Sequence, residues 1–443
     1  MTTNLLRSLS LKDAVSLVVG TIIGTGVFLK TAVMSQHLPS PFWVLLAWTA
    51  AGFLSLLGAL SYAELGSMFP RVGGEYVYLR EAYGKLPGFL FGWSRFWIGG
   101  PASIAAYGVA AATFASALFG GYSKQTGTVV ALSLIAFFTI SNCLKVAVGG
   151  RIQTALTILK VGMVIGLSLA VFLFSDTATI DHFAIGGEAS NNMINGFGMA
   201  MLAALWAFDG WNNLPMAAGE IENAERSLPR SLILGMALCI VVYALANLAY
   251  FYALPFAEVV SSNSRAYPNA LPVATKAAQS VFGSLGVSLL SAAFVISALG
   301  AMNGAVLTNS RVTYAMARDG LFIRALGTLN SRSHTPVRSI LMQGGISAVL
   351  ALSGSFDQLT DYVVFSAWIF YALTTSSLFV FRKRNIGSAY RVPLFPWTPI
   401  VFILLSICLL INTVISSPQE SAIGLLILAA GVPVFYFYER KSR

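Results

Sequence analysis

The chain has 443 residues, of which 56% are hydrophobic and only 10% charged, with a mean hydropathy of +0.75. Soluble domains carry roughly 25% charged residues, so the composition excludes a water-soluble enzyme or binding module and points to an all-α polytopic membrane protein with one transmembrane domain, residues 1–443. The formal net charge of +10 raises nucleic acid as a partner, a reading that the placement of the charges makes unnecessary.

About 20 apolar residues cross ~30 Å of hydrocarbon. Twelve stretches meet that requirement, in chain order 13–37, 41–67, 86–119, 127–145, 152–174, 193–217, 231–254, 283–308, 338–354, 359–381, 395–415 and 421–438. Residues 1–28 also resemble a signal peptide, with basic residues, an apolar run and small residues at Gly24 and Gly26, but they read better as an uncleaved first span. Loops are short except at 175–192, 255–275 and 311–337. With both termini in the cytoplasm, 21 of the 27 Lys and Arg fall on the cytoplasmic side. Lys30, Lys124, Arg265 and Lys276 fall outside, and Arg95 and Lys160 lie within spans. This is the positive-inside asymmetry of a multi-pass protein of the cell (inner or plasma) membrane, and it accounts for the basic balance without nucleic acid.

Two spans are interrupted. The first contains GTIIGTGVF (Gly20 to Phe28), where Gly20, Gly24 and Gly26 each lower helix propensity by ~1 kcal/mol relative to alanine. Non-helical backbone at membrane depth is tolerated only in protein or beside a cavity. A break here frees amides around Thr25, Gly26 and Val27 at the positive end of a second half-helix, which suits an anion. Carbonyls near Ile22 become acceptors for an ammonium group. The bland alternative is close helix packing through Gly20-xxx-Gly24. The sixth span contains WAFDGWNN (Trp206 to Asn213), in which Gly210 permits a break, Asp209 caps the following half-helix, and the carbonyls of Trp206 and Phe208 turn free. Donors for a carboxylate and acceptors for an ammonium at one depth answer the recognition problem posed by an α-amino acid.

Each interrupted span opens a block of five, 13–174 and 193–381, with two further spans at 395–438. An odd number of spans per block inserts the second block upside down, the arrangement of inverted-repeat transporters. Cys143, Cys239 and Cys408 form no disulfide framework. His37, His182 and His334 are too dispersed for a metal. Neither HExxH nor GxSxG occurs, so no enzyme chemistry, metal or cofactor is expected.

The two motifs resemble those of the amino acid–polyamine–organocation (APC) transporters, closest to the L-type amino-acid transporter and bacterial serine/threonine exchanger group. YAELGSMFPRVGGEYVYLREAYG (Tyr62 to Gly84), ENAERSLPRS (Glu222 to Ser231) and GAMNGAVLTNSRVTYAMARDG (Gly300 to Gly320) are also similar to that family, with Ala224 where proline is common. The resemblance covers residues 12 to about 340. It implies the leucine-transporter fold, a 5+5 inverted repeat of 12 transmembrane helices with helices 1 and 6 broken, and alternating access. It places the substrate carboxylate on Thr25 and Gly26 beside Gly24, the amino group on carbonyls at Ile22, Trp206 and Asp209, an aromatic gate at Trp206, and a polar coupling position at Asn212. Animal L-type relatives pair with a single-span glycoprotein through a cysteine between spans 3 and 4. This chain has none there, so no disulfide-linked partner subunit is expected.

Lys160 lies nine residues beyond Arg151, ~13 Å deeper at helical rise, near the midplane where an ionisable side chain is functional by default. The resemblance puts it where sodium-coupled relatives hold a cation, as a fixed substitute for sodium or as a proton carrier, and argues against sodium coupling. Asp209 is either a cap or a counter-ion to a cationic substrate. Arg95 is expected to snorkel, Glu64 to pair with Arg71, Asn303 to bond between helices, and Trp43, Trp48, Trp93, Trp97 and Trp397 to anchor at the interface. Ser103, Ala298 and Ser366 are candidates to shape the side-chain pocket. The expected function is sodium-independent transport of small neutral L-amino acids (alanine, serine, threonine) by exchange or proton-coupled uptake. The alternatives are a cationic amino-acid or polyamine antiporter using Asp209, and an amino-acid receptor that does not transport.

Overall fold

The computed structural model describes residues 5–119, 121–183, 193–267, 269–353, 356–416 and 418–442, with side chains except those at 353, 356–366, 416, 420, 441 and 442. α1 (Leu11–Ile22) starts on a capping box. The Ser10 hydroxyl accepts from the Asp13 amide at 3.3 Å, and the Asp13 carboxylate accepts from the Ser10 amide at 3.1 Å. After three non-helical residues the chain resumes as α2 (Gly26–Ser35). Of the three glycines expected to weaken the first span, only Gly24 lies in the gap. Gly20 stays helical, and a Cβ there would collide with the Gln153 amide, so its role is close packing.

α3 (Pro41–Met68) is followed by a short α4 (Glu75–Tyr83). The third predicted span is α5 (Lys85–Ser94) and α6 (Gly100–Leu118), joined by a π-helical turn at Arg95–Gly99. α7 (Lys124–Asn142), α8 (Val146–Phe174) and α9 (Met193–Ala207) follow. Beyond α9 the backbone breaks and continues as a 3₁₀ segment, Trp211–Glu220, where the sequence led us to expect an α-helical half. Pro215 inside that segment supplies no N–H and opposes α geometry.

α10 (Ala224–Ala253), α11 (Phe256–Val260) and α12 (Val273–Phe282) lead to α13 (Ser284–Arg318), the longest helix described. α13 runs ten residues past its expected end. Arg311, expected in a loop, is therefore helical and buried, paired with Glu220 through Nε–Oε2 at 2.8 Å and Nη2–Oε1 at 3.0 Å. α14 (Val337–Ser353), α15 (Phe356–Lys383), α16 (Trp397–Ser416) and α17 (Pro418–Ser442) complete the chain.

Among the described residues nine helices, counting α1 with α2 and α5 with α6 as one each, are long and apolar enough to cross a membrane. The other three expected spans correspond to the broken α9 segment, the shorter α14 and α15. Large apolar side chains on the outside, such as Phe53, Phe137, Ile140 and Leu173, have no water-soluble rationale and suit lipid. The chain is an integral membrane protein.

α1 packs against α8, α10, α13 and the 3₁₀ segment, so both interruptions lie inside the bundle. The lead-in to α1 is pinned to the same segment: the Ser8 and Leu9 amides donate to Glu220 O, and the Glu222 amide to Leu9 O.

Several single-residue expectations are corrected. Trp48 is only 3% exposed and lies edge-on to Phe208 and Tyr243, a core residue and not an interfacial anchor. Glu64 pairs with Arg382, at 2.9 and 2.7 Å, while Arg71 pairs with Glu81 at the surface. Arg95 is drawn inward by a hydrogen bond to Asn213 Oδ1 at 2.8 Å. Asn303 does bond between helices, accepting from Asn142 and donating to Gln153.

Candidate functional site

The interruption between α1 and α2 leaves backbone donors without helical acceptors. Phe28 N–H reaches Thr25 O at 3.2 Å, but the amides of Thr25, Gly26 and Val27 have no acceptor among the described residues. The Thr25 hydroxyl is buried and likewise unpartnered. Across from it, α9 ends at Ala207, and Gly210 takes φ +117°, a region that favours glycine. A Cβ on Gly210 would lie 2.8 Å from Thr21 O. The two interruptions thus lie against each other, and the Thr21 hydroxyl sits 3.0 Å from Gly210 O.

A cavity of about 50 Å³ opens between them. Six of the sequence-predicted residues line it: Ile22, Gly24, Thr25, Gly26, Trp206 and Asp209. Two do not. The Phe208 ring packs against Trp48 and Tyr243, and the Asn212 side chain donates to Glu75 Oε2 at 3.4 Å. Of the three pocket candidates, Ser103 lines the cavity, Ala298 is buried away from it, and the Ser366 side chain lies outside the described residues.

Two details of the expected chemistry differ. Ile22 O already accepts from Gly24 N–H at 2.8 Å and lies 3.0 Å from the Tyr243 hydroxyl, whose single proton it shares with Ala207 O. The Asp209 carboxylate caps no helix; Gly210 occupies the cap position, and Asp209 accepts from the Tyr371 hydroxyl on α15. Trp206, the expected gate, carries the Lys30 ammonium 4.3 Å from its ring centroid.

Behind the α1–α2 interruption, Lys160 reaches from α8 with all three N–H donors engaged. They meet Gly20 O at 2.9 Å, Ile23 O at 2.8 Å and Ser297 O at 2.9 Å. The ammonium bridges α8, the broken span and α13 as a bound cation would.

The family model for amino acid permeases matches residues 9–437. The chain belongs to the amino acid permease family. The permease is 35% identical to the serine/threonine exchanger SteT of Bacillus subtilis (strain 168) over 98% of both chains. It is 32% identical to the b(0,+)-type amino acid transporter 1 of Mus musculus over 98% of this chain and 88% of the relative. It is 29% identical to the human Asc-type amino acid transporter 1, over 99% and 84%. This is the APC group that GTIIGTGVF and WAFDGWNN resemble, and its members are transporters rather than enzymes.

Sequence reasoning missed several groups that the permease brings to the cavity. Tyr107 lines it one helical turn beyond Ser103, and the i, i+4 spacing on one helix face was the available signal. Tyr243 bridges the two interruptions, its hydroxyl 3.0 Å from Ile22 O and 2.9 Å from Ala207 O. The stripe Cys239, Tyr243, Asn247 on α10 is the pattern that could have pointed to it. Ser297 places its hydroxyl 2.9 Å from Ile23 O and 3.0 Å from Gly24 O; nothing in its neighbourhood of α13 marks it out.

Proposed function

We propose that this permease exchanges small neutral L-amino acids across the membrane without sodium, using the helix interruptions as the zwitterion site. In this reading the amides of Thr25 and Gly26, with the Thr25 hydroxyl, take the substrate carboxylate. Backbone of Trp206 and Asp209 takes the ammonium, Trp206 closes the site, and Asn212 couples the halves. The architecture is a 5+5 inverted repeat of 12 helices, 13–174 and 193–381 with 395–438 appended, both termini in the cytoplasm and no disulfide-linked partner.

The observation that carries this reading is the unpartnered donor set at Thr25, Gly26 and Val27 beside the cavity. Buried donors without acceptors are costly unless a ligand satisfies them. The cavity, about 50 Å³, is small for a site of this kind, which favours small substrates. Relatives named as exchangers or transporters of amino acids differ in substrate, so cavity size is the stronger guide to the side chain. The three carbonyls on Lys160 support a fixed positive charge in place of sodium.

Competition binding tests the reading. L-Alanine and L-serine should displace one another, while the methyl ester and the N-acetyl derivative of alanine should both fail. Equal competition by the methyl ester would remove the carboxylate site.

A further inference from the structure

Glu75 is a carboxylate that the transport reading above does not use. It opens α4, between the spans Pro41–Met68 and Lys85–Leu118, yet it is fully buried, 0% exposed. Its two oxygens meet neutral partners. The Tyr62 hydroxyl on α3 donates to Oε1, and Asn212 Nδ2, three residues beyond Asp209, donates to Oε2 at 3.4 Å. No Lys or Arg among the described residues forms an ion pair with it.

The surroundings make a seal. Just before Glu75, the Gly73 amide donates to Met216 O at 2.9 Å, and a Cβ on Gly74 would lie 2.9 Å from the Met216 amide. From the π-helical turn, Arg95 bonds Asn213 in the same segment at 2.8 Å. The start of α4 is therefore laid directly on residues 212–216, the stretch that follows the second interruption. Charged and titratable groups face Glu75 from each neighbouring element: Tyr62 from α3, Tyr78 from α4 itself, Arg95 from the π turn, Asp209 from the interruption and Tyr371 from α15. Tyr76 and Arg80, also on α4, both bond Asp319 at the end of α13.

We propose that Glu75 is a proton-binding site built into this seal, and that loss of its proton to water releases α4 from residues 212–216 during transport. The inference rests on the exchange reading for its role in turnover, but not for the proton site itself. The chemistry is a simple transfer: the carboxyl O–H bond breaks, the proton goes to water, and the charge stays on Glu75. Both protonation states have partners in place, because the Tyr62 hydroxyl can donate to the carboxylate or accept from the carboxyl. The neutral form suits the closed arrangement, since an ionised carboxylate without an ion pair is expensive away from water. Burial pushes the Glu75 carboxyl up to about 7, against the downward pull of Tyr62, Arg95 and Asn212. Opening hydrates the carboxylate, so deprotonation and opening favour one another.

The test uses the full-length protein in liposomes, wild type beside Glu75→Gln. Hydrogen–deuterium exchange of residues 211–220, corrected for intrinsic pH dependence, reads the seal; counterflow of labelled L-alanine reads turnover. In wild type, protection should fall and counterflow should rise as pH passes through about 7. In Glu75→Gln, protection should stay high and slow counterflow should no longer respond to pH. Tyr62→Phe, which removes a donor to the carboxylate but keeps the acid, should move the wild-type midpoint upward, and it serves if the Gln variant fails to fold. A protection profile with no pH step in wild type, or with the same step in Glu75→Gln, would overturn the proposal. A protection step lost in Glu75→Gln, without flux of any amino acid, would support the proton site and remove the exchange reading alone.

Discussion

The ammonium of Lys160 lies 2.8 Å from the carbonyl oxygen of Ile23, in the middle of the first interrupted span. Two further carbonyls, Gly20 O and Ser297 O, complete its partners at 2.9 Å. A side chain from α8 therefore holds open backbone that hydrocarbon would force back into helix.

Replacing Lys160 with methionine keeps the volume and removes the donors. Ile23 O keeps the Ser297 hydroxyl and Ser297 O its place in the α13 ladder, but Gly20 O loses its donor. An unsatisfied carbonyl costs about 1–3 kcal/mol, so Lys160→Met should unfold at lower temperature and lose uptake. Melting in lipid or detergent together with flux measures both. A variant that keeps wild-type stability would show that these carbonyls do not depend on the ammonium.

Gly26 and Gly24 should respond differently to alanine. A Cβ on Gly26 would sit 2.6 Å from Ala207 Cβ, wedging α2 away from α9. Overpacking of this kind costs about 1–3 kcal/mol, and here it also deforms the cavity. A Cβ on Gly24 meets only Ile22 O, at 3.9 Å. Binding of L-alanine should fall below detection in Gly26→Ala, while Gly24→Ala should melt with the wild type.

Much of this was legible in the residues. The glycines and threonines of GTIIGTGVF and the WAFDGWNN motif located both interruptions, and Lys160 stood out as the one cation deep in an otherwise apolar span. Contacts that join distant parts of the chain were not legible. Glu64 was assigned to Arg71, seven residues away, whereas Arg382 reaches it from α15. Glu75 was not singled out, because α4 is too short to signal that it tucks back into the bundle. The 3₁₀ path of Trp211–Glu220 was missed although Pro215 was in view, because a helix of the expected length fitted the hydropathy equally well.

A variant at Asp209 distinguishes exchange of neutral substrates from antiport of cationic ones. Its carboxylate is bonded to Tyr371, so Asp209→Asn should preserve alanine exchange, slowed by about tenfold if a charge-assisted bond worth ~1.4 kcal/mol is lost. Wild-type protein should not concentrate arginine. Arginine uptake by wild type that disappears in Asp209→Asn would establish the antiporter reading instead.

Glu75 also makes a stability prediction independent of flux. Its carboxyl is raised from 4.5 to about 7 in the folded protein. As pH rises through that interval the unfolded chain ionises first, so the native state loses stability until about pH 7 and no further. Glu75→Gln escapes this loss. The melting temperature of Glu75→Gln minus that of wild type should therefore increase between pH 4.5 and 7 and level off above it. A difference constant with pH would mean that Glu75 titrates as an ordinary exposed acid.

The most direct test of the account is uptake of labelled L-alanine into liposomes containing the purified permease, with sodium absent. One batch carries unlabelled L-alanine or L-serine inside and the other carries buffer alone. Uptake into the loaded vesicles only, the signature of exchange, is expected. Equal uptake into empty vesicles, or uptake that requires sodium, would contradict it.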